Sequence, residues 1–430
     1  MTTPPTGDPA AAPASMTPRQ AWMLILAASA ILMITMGARL TTGLFLSPIN
    51  TSTGLGIASI SFAMAVAQLM WGASQPVFGA IADKYGPARV IVIGGLMLAA
   101  GTAATPFVDS EWGLILTMGL LSAAGAGAGS FSILIGATAQ RLPAERRAFA
   151  SGFINAGGSF GQFVFAPLMQ AIIASAGWVA AMLTMAASTL LTIPLALGVR
   201  GRRAPPPVAA ASPGVSAAPA APVVPGISLT EQLRQAMRDR SYLCLHLGFF
   251  TCGFHIAFLV THLPGEVALC GLPAGVSATA LALIGLFNIA GSLVAGALAS
   301  RYRMKSLLAI IYASRAVIIV LYLLAPKTAL TFYLFAGALG FTWLATVPPT
   351  AGLVGKLFGM RYLATLFGMT LLSHQVGGFF GAWLGGLSFV RFGDYSWMWY
   401  ADILLAVAAA LVNLPIRELP VARPAALAKG

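Results

Sequence analysis

The chain has 430 residues, of which 58% are hydrophobic and 8% charged, with a formal net charge of +13. A soluble fold of this length needs far more charge to build its surface, so the composition excludes one and implies an all-α integral membrane protein. The basic residues fall between apolar runs instead of along a stripe, which argues against a nucleic-acid partner.

Residues 1–19 are rich in Pro, Ala and Thr and read as a disordered N-terminal tail. Ala28-Ser29-Ala30 imitates a signal-peptidase site, but the apolar run continues through it. Runs long enough to span a bilayer then fall at 20–49, 57–82, 88–107, 112–138, 148–174 and 176–199. A second set falls at 241–263, 276–299, 305–325, 329–354, 362–389 and 396–416. The prediction is twelve transmembrane helices in two six-helix bundles, 20–199 and 241–416. Residues 200–240 join them as a linker, and 417–430 form a C-terminal tail.

Within the linker, 204–225 is a Pro/Ala-rich spacer. Ser228-Leu229-Thr230-Glu231 is a capping box that opens a short polar helix. Arg19, Lys84, Arg89, Arg141, Arg146, Arg147, the linker arginines, Arg301, Arg303, Lys305, Lys356, Arg361, Arg417, Arg423 and Lys429 all fall on one side. Lys327 and Arg391 fall on the other. The positive-inside rule therefore puts both chain ends in the cytoplasm, as in a bacterial-type cytoplasmic membrane.

The two sets repeat. Gly37 and Pro48 align with Gly253 and Pro264 at an offset of 216 residues, and Gly152 and Gly161 align with Gly368 and Gly377 at the same offset. Gly79 to Tyr85 aligns with Gly296 to Tyr302 at 217. Such repeats place a substrate site near the bilayer midplane, between halves that rock about it.

The membrane-embedded polar residues bear on function. Arg39 closes a stretch, Gln20 to Ala38, with no other charge. A guanidinium stays protonated, and its cost near the bilayer centre starts at about 3 kcal/mol. Snorkelling to the headgroups would relieve it. An anionic substrate would relieve it too, and is the preferred reading. His255 is the repeat counterpart of Arg39 and is expected across the cavity from it. His262 lies two turns further along the same face. These two, with His374 and Gln375 in span 11 and Asn288 in span 8, complete the expected substrate-binding set. Each could also be an interhelical hydrogen-bonding partner. Gln68, Asn155, Gln162, Tyr312 and Trp343 are further wall candidates. Arg315 in span 9 and Asp402 in span 12 are expected to form a structural ion pair.

No phosphate loop, metal cluster or nucleophile–base set is visible, so neither an enzyme nor a cofactor is expected. Cys244, Cys252 and Cys270 lack metal-site spacing and form no disulfide framework. The chain is taken to work as a monomer.

The loop Gly79-Ala80-Ile81-Ala82-Asp83-Lys84-Tyr85-Gly86-Pro87-Ala88-Arg89 resembles the G-x-x-x-D-[RK]-x-G-[RK]-[RK] signature of the major facilitator superfamily. Pro87 and Ala88 depart from it. The resemblance implies a conformational latch made by Gly79, Asp83, Lys84 and Arg89. Ser300 stands opposite Asp83 in the second half, so that latch would be asymmetric. Arg39, Gly157 to Gln162, His262-Leu263-Pro264 and Ser373 to Gly377 are most similar to the monocarboxylate-porter and oxalate/formate-exchanger branch. An Asp/Arg pair usual in span 8 of those porters is missing, and Asn288 stands there among neutral residues. The drug-antiporter Gly-Pro pair of span 5 is missing as well.

The reading is a secondary transporter of a small organic anion, a monocarboxylate carried by proton-coupled symport. Exchange of organic anions and proton-driven export of drugs or cationic metabolites are the alternatives.

Overall fold

The computed structural model describes residues 16–139, 141–142, 144–200, 228–359 and 362–420. The N-terminal tail to residue 15, the linker stretch 201–227, Arg361 and the C-terminal tail from residue 421 lie outside the described residues. Every regular element among the described residues is helical.

These helices resolve into twelve spans. Span 1 opens on Thr17, whose hydroxyl accepts from the Gln20 N–H while the Gln20 side chain accepts from the Thr17 N–H. Pro18 sits in the first turn, where no N–H is needed. The span runs over Pro18–Leu40, tightens at Thr42–Phe45 and resumes over Leu46–Thr53. Spans 2 and 3 are Ile57–Tyr85 and Pro87–Ala104, and span 4 runs from Glu111 to Ala139 in several pieces. Spans 5 and 6 share the stretch Ala144–Leu190, broken where Gly177 takes φ 85°, and span 6 ends with Thr192–Gly198.

The linker helix Leu229–Arg238 starts at Ser228, whose side chain accepts from the Glu231 N–H. Spans 7, 8 and 9 are Arg240–Leu269, Ala274–Ala299 and Met304–Leu324. Span 10 is two helices, Ala329–Thr342 and Val347–Phe358, and spans 11 and 12 are Leu363–Phe392 and Ser396–Asn413. Span 7 runs six residues beyond its predicted end at 263, because Pro264 is accommodated inside the helix. Large apolar side chains such as Ile310, Leu321, Leu334 and Leu404 remain exposed. They form the outward face that a bilayer requires.

Four of the glycine landmarks of the repeat, Gly37, Gly161, Gly253 and Gly377, lie on packing seams. A Cβ on Gly161 would lie 2.0 Å from the Met33 carbonyl oxygen, and one on Gly377 2.0 Å from that of Phe250. Spans 1 and 5 thus approach as spans 7 and 11 do, backbone against backbone. Spans 4 and 10 repeat too. Each is interrupted partway along its length, and the second pieces begin at Phe131 and Val347, again 216 residues apart. The carbonyls freed at these breaks are capped differently. Thr35 Oγ1 donates to Gly129 O (3.0 Å) in the first half. In the second, Arg315 donates to the carbonyls of Thr342 and of Trp343, the latter at 2.6 Å.

The halves meet on the side away from the chain ends. Ser61 of span 2 lies against Gly386 of span 11, and Phe62 packs edge-on against Phe379 and Trp383. Deeper, Gln68 abuts Gly378 and Gln375 abuts Gly72. Asn288 of span 8 donates to Ser159 Oγ of span 5 (2.9 Å). On the side of the chain ends, Gly79, Gly152, Gly296 and Gly368 face open space. The seam is closed at the far side and parted at the near one.

A Cβ on Gly378 would stand 3.5 Å from the Cβ of Gln68, within the range that a disulfide bridges. The double variant Gln68→Cys/Gly378→Cys is expected to cross-link under mild oxidation, read as a mobility shift that reductant reverses. Single-cysteine proteins serve as controls. If the double variant stays unlinked, this closed seam is not the resting state.

Candidate functional site

Arg39 leaves span 1 just before the helix tightens, and its side chain turns toward span 2. Its Nη2 donates to Gln68 Oε1, and the guanidinium lies over the Trp71 ring, 4.2 Å from its centroid. Among the described residues no carboxylate forms an ion pair with it. A neutral amide and an aromatic face are therefore its observed partners, and the cation keeps its full charge. A cavity of about 60 Å³ opens beside it, lined in part by Thr42, Gln68, Thr102, Thr105 and Ser122. Gln68 is the hinge between this cavity and the seam, since its other side packs against Gly378 of span 11. Snorkelling does not account for Arg39, whose guanidinium is held inside the first half.

The histidines are placed differently from expectation. His255 does not face Arg39 across the seam. It is buried within the second half, Nδ1 bonded to Asp402 Oδ2 of span 12 at 2.5 Å, its ring against Trp343. His262 is held by Nε2 donating to the Ala382 carbonyl of span 11 (2.7 Å). His374 is half-buried, beside Phe249 and 3.1 Å from the side chain of its neighbour Gln375. Gln375 reaches the seam, where its Oε1 is buried without a donor. Asn288 donates to Ser159 and accepts from the Leu344 N–H (3.0 Å) and from Ser292 (3.1 Å). It staples the halves together, one of its two amide N–H groups being committed to Ser159.

The expected Arg315–Asp402 ion pair is also replaced. Arg315 spends its charge on the carbonyls at the break of span 10 and on Cys252 Sγ (3.4 Å), and Asp402 pairs with His255. A helix C-terminus carries partial negative charge and orphan carbonyls, so it competes with a carboxylate for a guanidinium. Of the latch residues, Gly79 faces open space, Lys84 lies 5.0 Å from the Tyr85 ring, and Arg89 is exposed. The Asp83 side chain lies outside what the structure describes.

Two polar groups escaped the sequence reading. Glu266 is 9% exposed and accepts from the Tyr322 hydroxyl at 2.6 Å, with Lys327 over the Tyr322 ring. It lay beyond the predicted end of span 7. His246 bonds Ser373 Oγ through Nδ1 (2.6 Å), near the near-side end of the same span. Its spacing from His255 offered no periodic signal. None of the described residues form a His, Cys, Asp or Glu group that could hold a metal.

Twelve spans in two repeated halves, with an arginine beside an internal cavity, have the layout of a membrane transporter. Residues 26–382 match the Major Facilitator Superfamily, and the chain belongs to that family. It is a multi-pass membrane transporter and not an enzyme. The oxalate:formate antiporter of Oxalobacter formigenes is 25% identical over 397 residues, covering 92% of this chain and 91% of that one. Monocarboxylate transporter 13 of Bos taurus is 27% identical over 405 residues, covering 92% and 89%. Among solved structures, the D-xylose-proton symporter superposes with a TM-score of 0.69 at 14% identity, covering 92% of this chain and 97% of that one. A bacterial homologue of the human lysosomal transporter Spinster, inward-facing and occupied, gives 0.70 at 13%, covering 93% and 97%.

Proposed function

We propose that this transporter carries a small organic anion, a monocarboxylate or a compact relative such as oxalate, by proton-coupled symport. The observation that carries the reading is Arg39, a cation with no carboxylate partner among the described residues, beside a cavity and one side chain from the seam. A carboxylate reaching Arg39 would displace the Gln68 carbonyl, exchanging a neutral acceptor for a charged one. Charge-assisted hydrogen bonds are about twice as strong as neutral ones. That gain is available only when the anion is bound, so it can favour closure around the cargo. The names of the relatives, one an oxalate:formate antiporter and the other a monocarboxylate transporter, support the same substrate class.

Exchange of two anions is the second reading, favoured by the word antiporter in the first of those names. Export of cationic compounds would need an acid open to the cleft, and Asp402 is enclosed against His255. The positive-inside reading would make the parted side cytoplasmic. The Gly79-to-Arg89 loop would then latch that side when the carrier turns outward.

Counterflow in proteoliposomes tests the substrate class. Vesicles loaded with unlabelled formate, pyruvate or oxalate are expected to take up the same labelled anion, and vesicles loaded with a lipophilic cation are not. Counterflow of the cation alone would refute the anion reading.

A further inference from the structure

We propose that the His255–Asp402 pair is the proton-binding site of this carrier, separate from the anion site at Arg39. The inference rests on the proton-coupled anion reading and gives its proton a place.

Both side chains are sealed in the second half, His255 at 1% exposure and Asp402 at 0%. One proton lies on the Nδ1–Oδ2 axis. The outer atoms of the pair, His255 Nε2 and Asp402 Oδ1, are both buried with no hydrogen-bond partner. A purely structural histidine–carboxylate contact would be expected to satisfy those atoms. Here they are two basic positions at which a second proton can form an N–H or an O–H bond. That proton comes from water on one side of the membrane and returns to water on the other, so no co-reactant is needed.

The surroundings supply a readout. On span 7, Cys252 lies one turn from His255, and His262, two turns away, is committed to the Ala382 carbonyl. Span 9 brings Arg315 and Tyr312, the latter bonded to the Gly248 carbonyl. Span 10 brings Trp343 and Thr346, neither ionisable, and span 11 brings His374 near Cys252. Span 8 carries no ionisable residue, and Arg39 of span 1 is turned to Gln68 and Trp71. The permanent charge in this neighbourhood is Arg315, which reaches Cys252 one turn from His255.

With one proton the pair carries a net charge of minus one, and with two it is neutral. Arg315 is also the cap on the break of span 10, through Thr342 and Trp343, and the Trp343 ring lies 5.8 Å from that of His255. Proton occupancy at the pair thus bears on the joint between the two pieces of span 10. That is a route from a proton to the rocking of the halves which does not pass through the anion.

The test compares two measurements in proteoliposomes, with formate, pyruvate and oxalate as probes. Counterflow at equal pH reads anion binding and turnover. Accumulation driven by an inward proton gradient reads coupling. His255→Gln and Asp402→Asn are each expected to keep counterflow within about threefold and to lose gradient-driven accumulation at least tenfold. Accumulation as in the parent protein would overturn the proposal. So would a parent protein that shows counterflow but ignores the gradient, which leaves the anion reading intact. Absence of carboxylate counterflow in the parent protein would instead sink the anion reading beneath both. If neither single variant nor H255Q/D402N reaches the membrane, the pair is architectural and the proposal falls.

Discussion

Replacing Arg39 with alanine is expected to cut carboxylate transport about 10- to 100-fold while leaving the protein normally inserted. The size follows from losing one hydrogen bond to a charged group, about 1.5–3 kcal/mol, at about 1.4 kcal/mol per tenfold. Insertion should not suffer, because removal strands no opposite charge. Arg39 rests on Gln68 and Trp71, both neutral, unlike a buried pair in which each partner depends on the other. Lysine at the same position should recover only part of the activity, since it lacks the planar fork that meets a carboxylate with two parallel bonds. Gln68→Ala should cost less than R39A, because it removes the placeholder and leaves the cation. The measurement is initial counterflow rate normalised to protein in the vesicle. An R39A protein that transports at the parent rate would show that the cation serves packing alone.

The largest expected loss of stability comes from a single methyl group. A Cβ on Gly253 would lie 1.7 Å from the carbonyl oxygen of His374, a backbone atom with no rotamer to move. Gly253→Ala must push spans 7 and 11 apart along the seam that organises the second half. Overpacking of this kind costs about 1–3 kcal/mol, occasionally more. Gly368→Ala, on the same span 11, is the control. Gly368 faces open space in a helix, so alanine there should be neutral or gain up to about 1 kcal/mol from helix propensity. Thermal unfolding in detergent reads both. Equal midpoints for the two variants would mean that the close approach at Gly253 is absent in the protein.

The glycine seams also explain why so much of the fold was legible. Gly161, Gly253 and Gly377 mark places where backbones touch, and Gly37 one where the Phe165 ring leaves no room for a Cβ, so the repeat survives there at one spacing. The spans were legible because their lengths are set by the bilayer. Arg39 was legible because a lone cation in an apolar run is conspicuous whatever its neighbours. The partners of the other polar residues were not. Asp402 and Arg315 look matched on a sequence that contains so few intramembrane charges. What separates them is the interruption after Thr342, and Thr342-Trp343-Leu344-Ala345-Thr346 reads as continuous apolar helix. Only a broken helix presents free carbonyls, and only those carbonyls release Asp402 to His255. Glu266 was hidden for the opposite reason: Pro264 signals an ending, yet the helix continues past it.

The interruptions of spans 4 and 10 invite a last comparison. A hydroxyl closes the first and a guanidinium the second. The second closure lies beside the pair proposed to bind the proton. The molecule uses one scaffold twice, and on the proposed reading the copies divide the labour. The first half would meet the cargo at Arg39, and the second would hold the proton at His255 and Asp402.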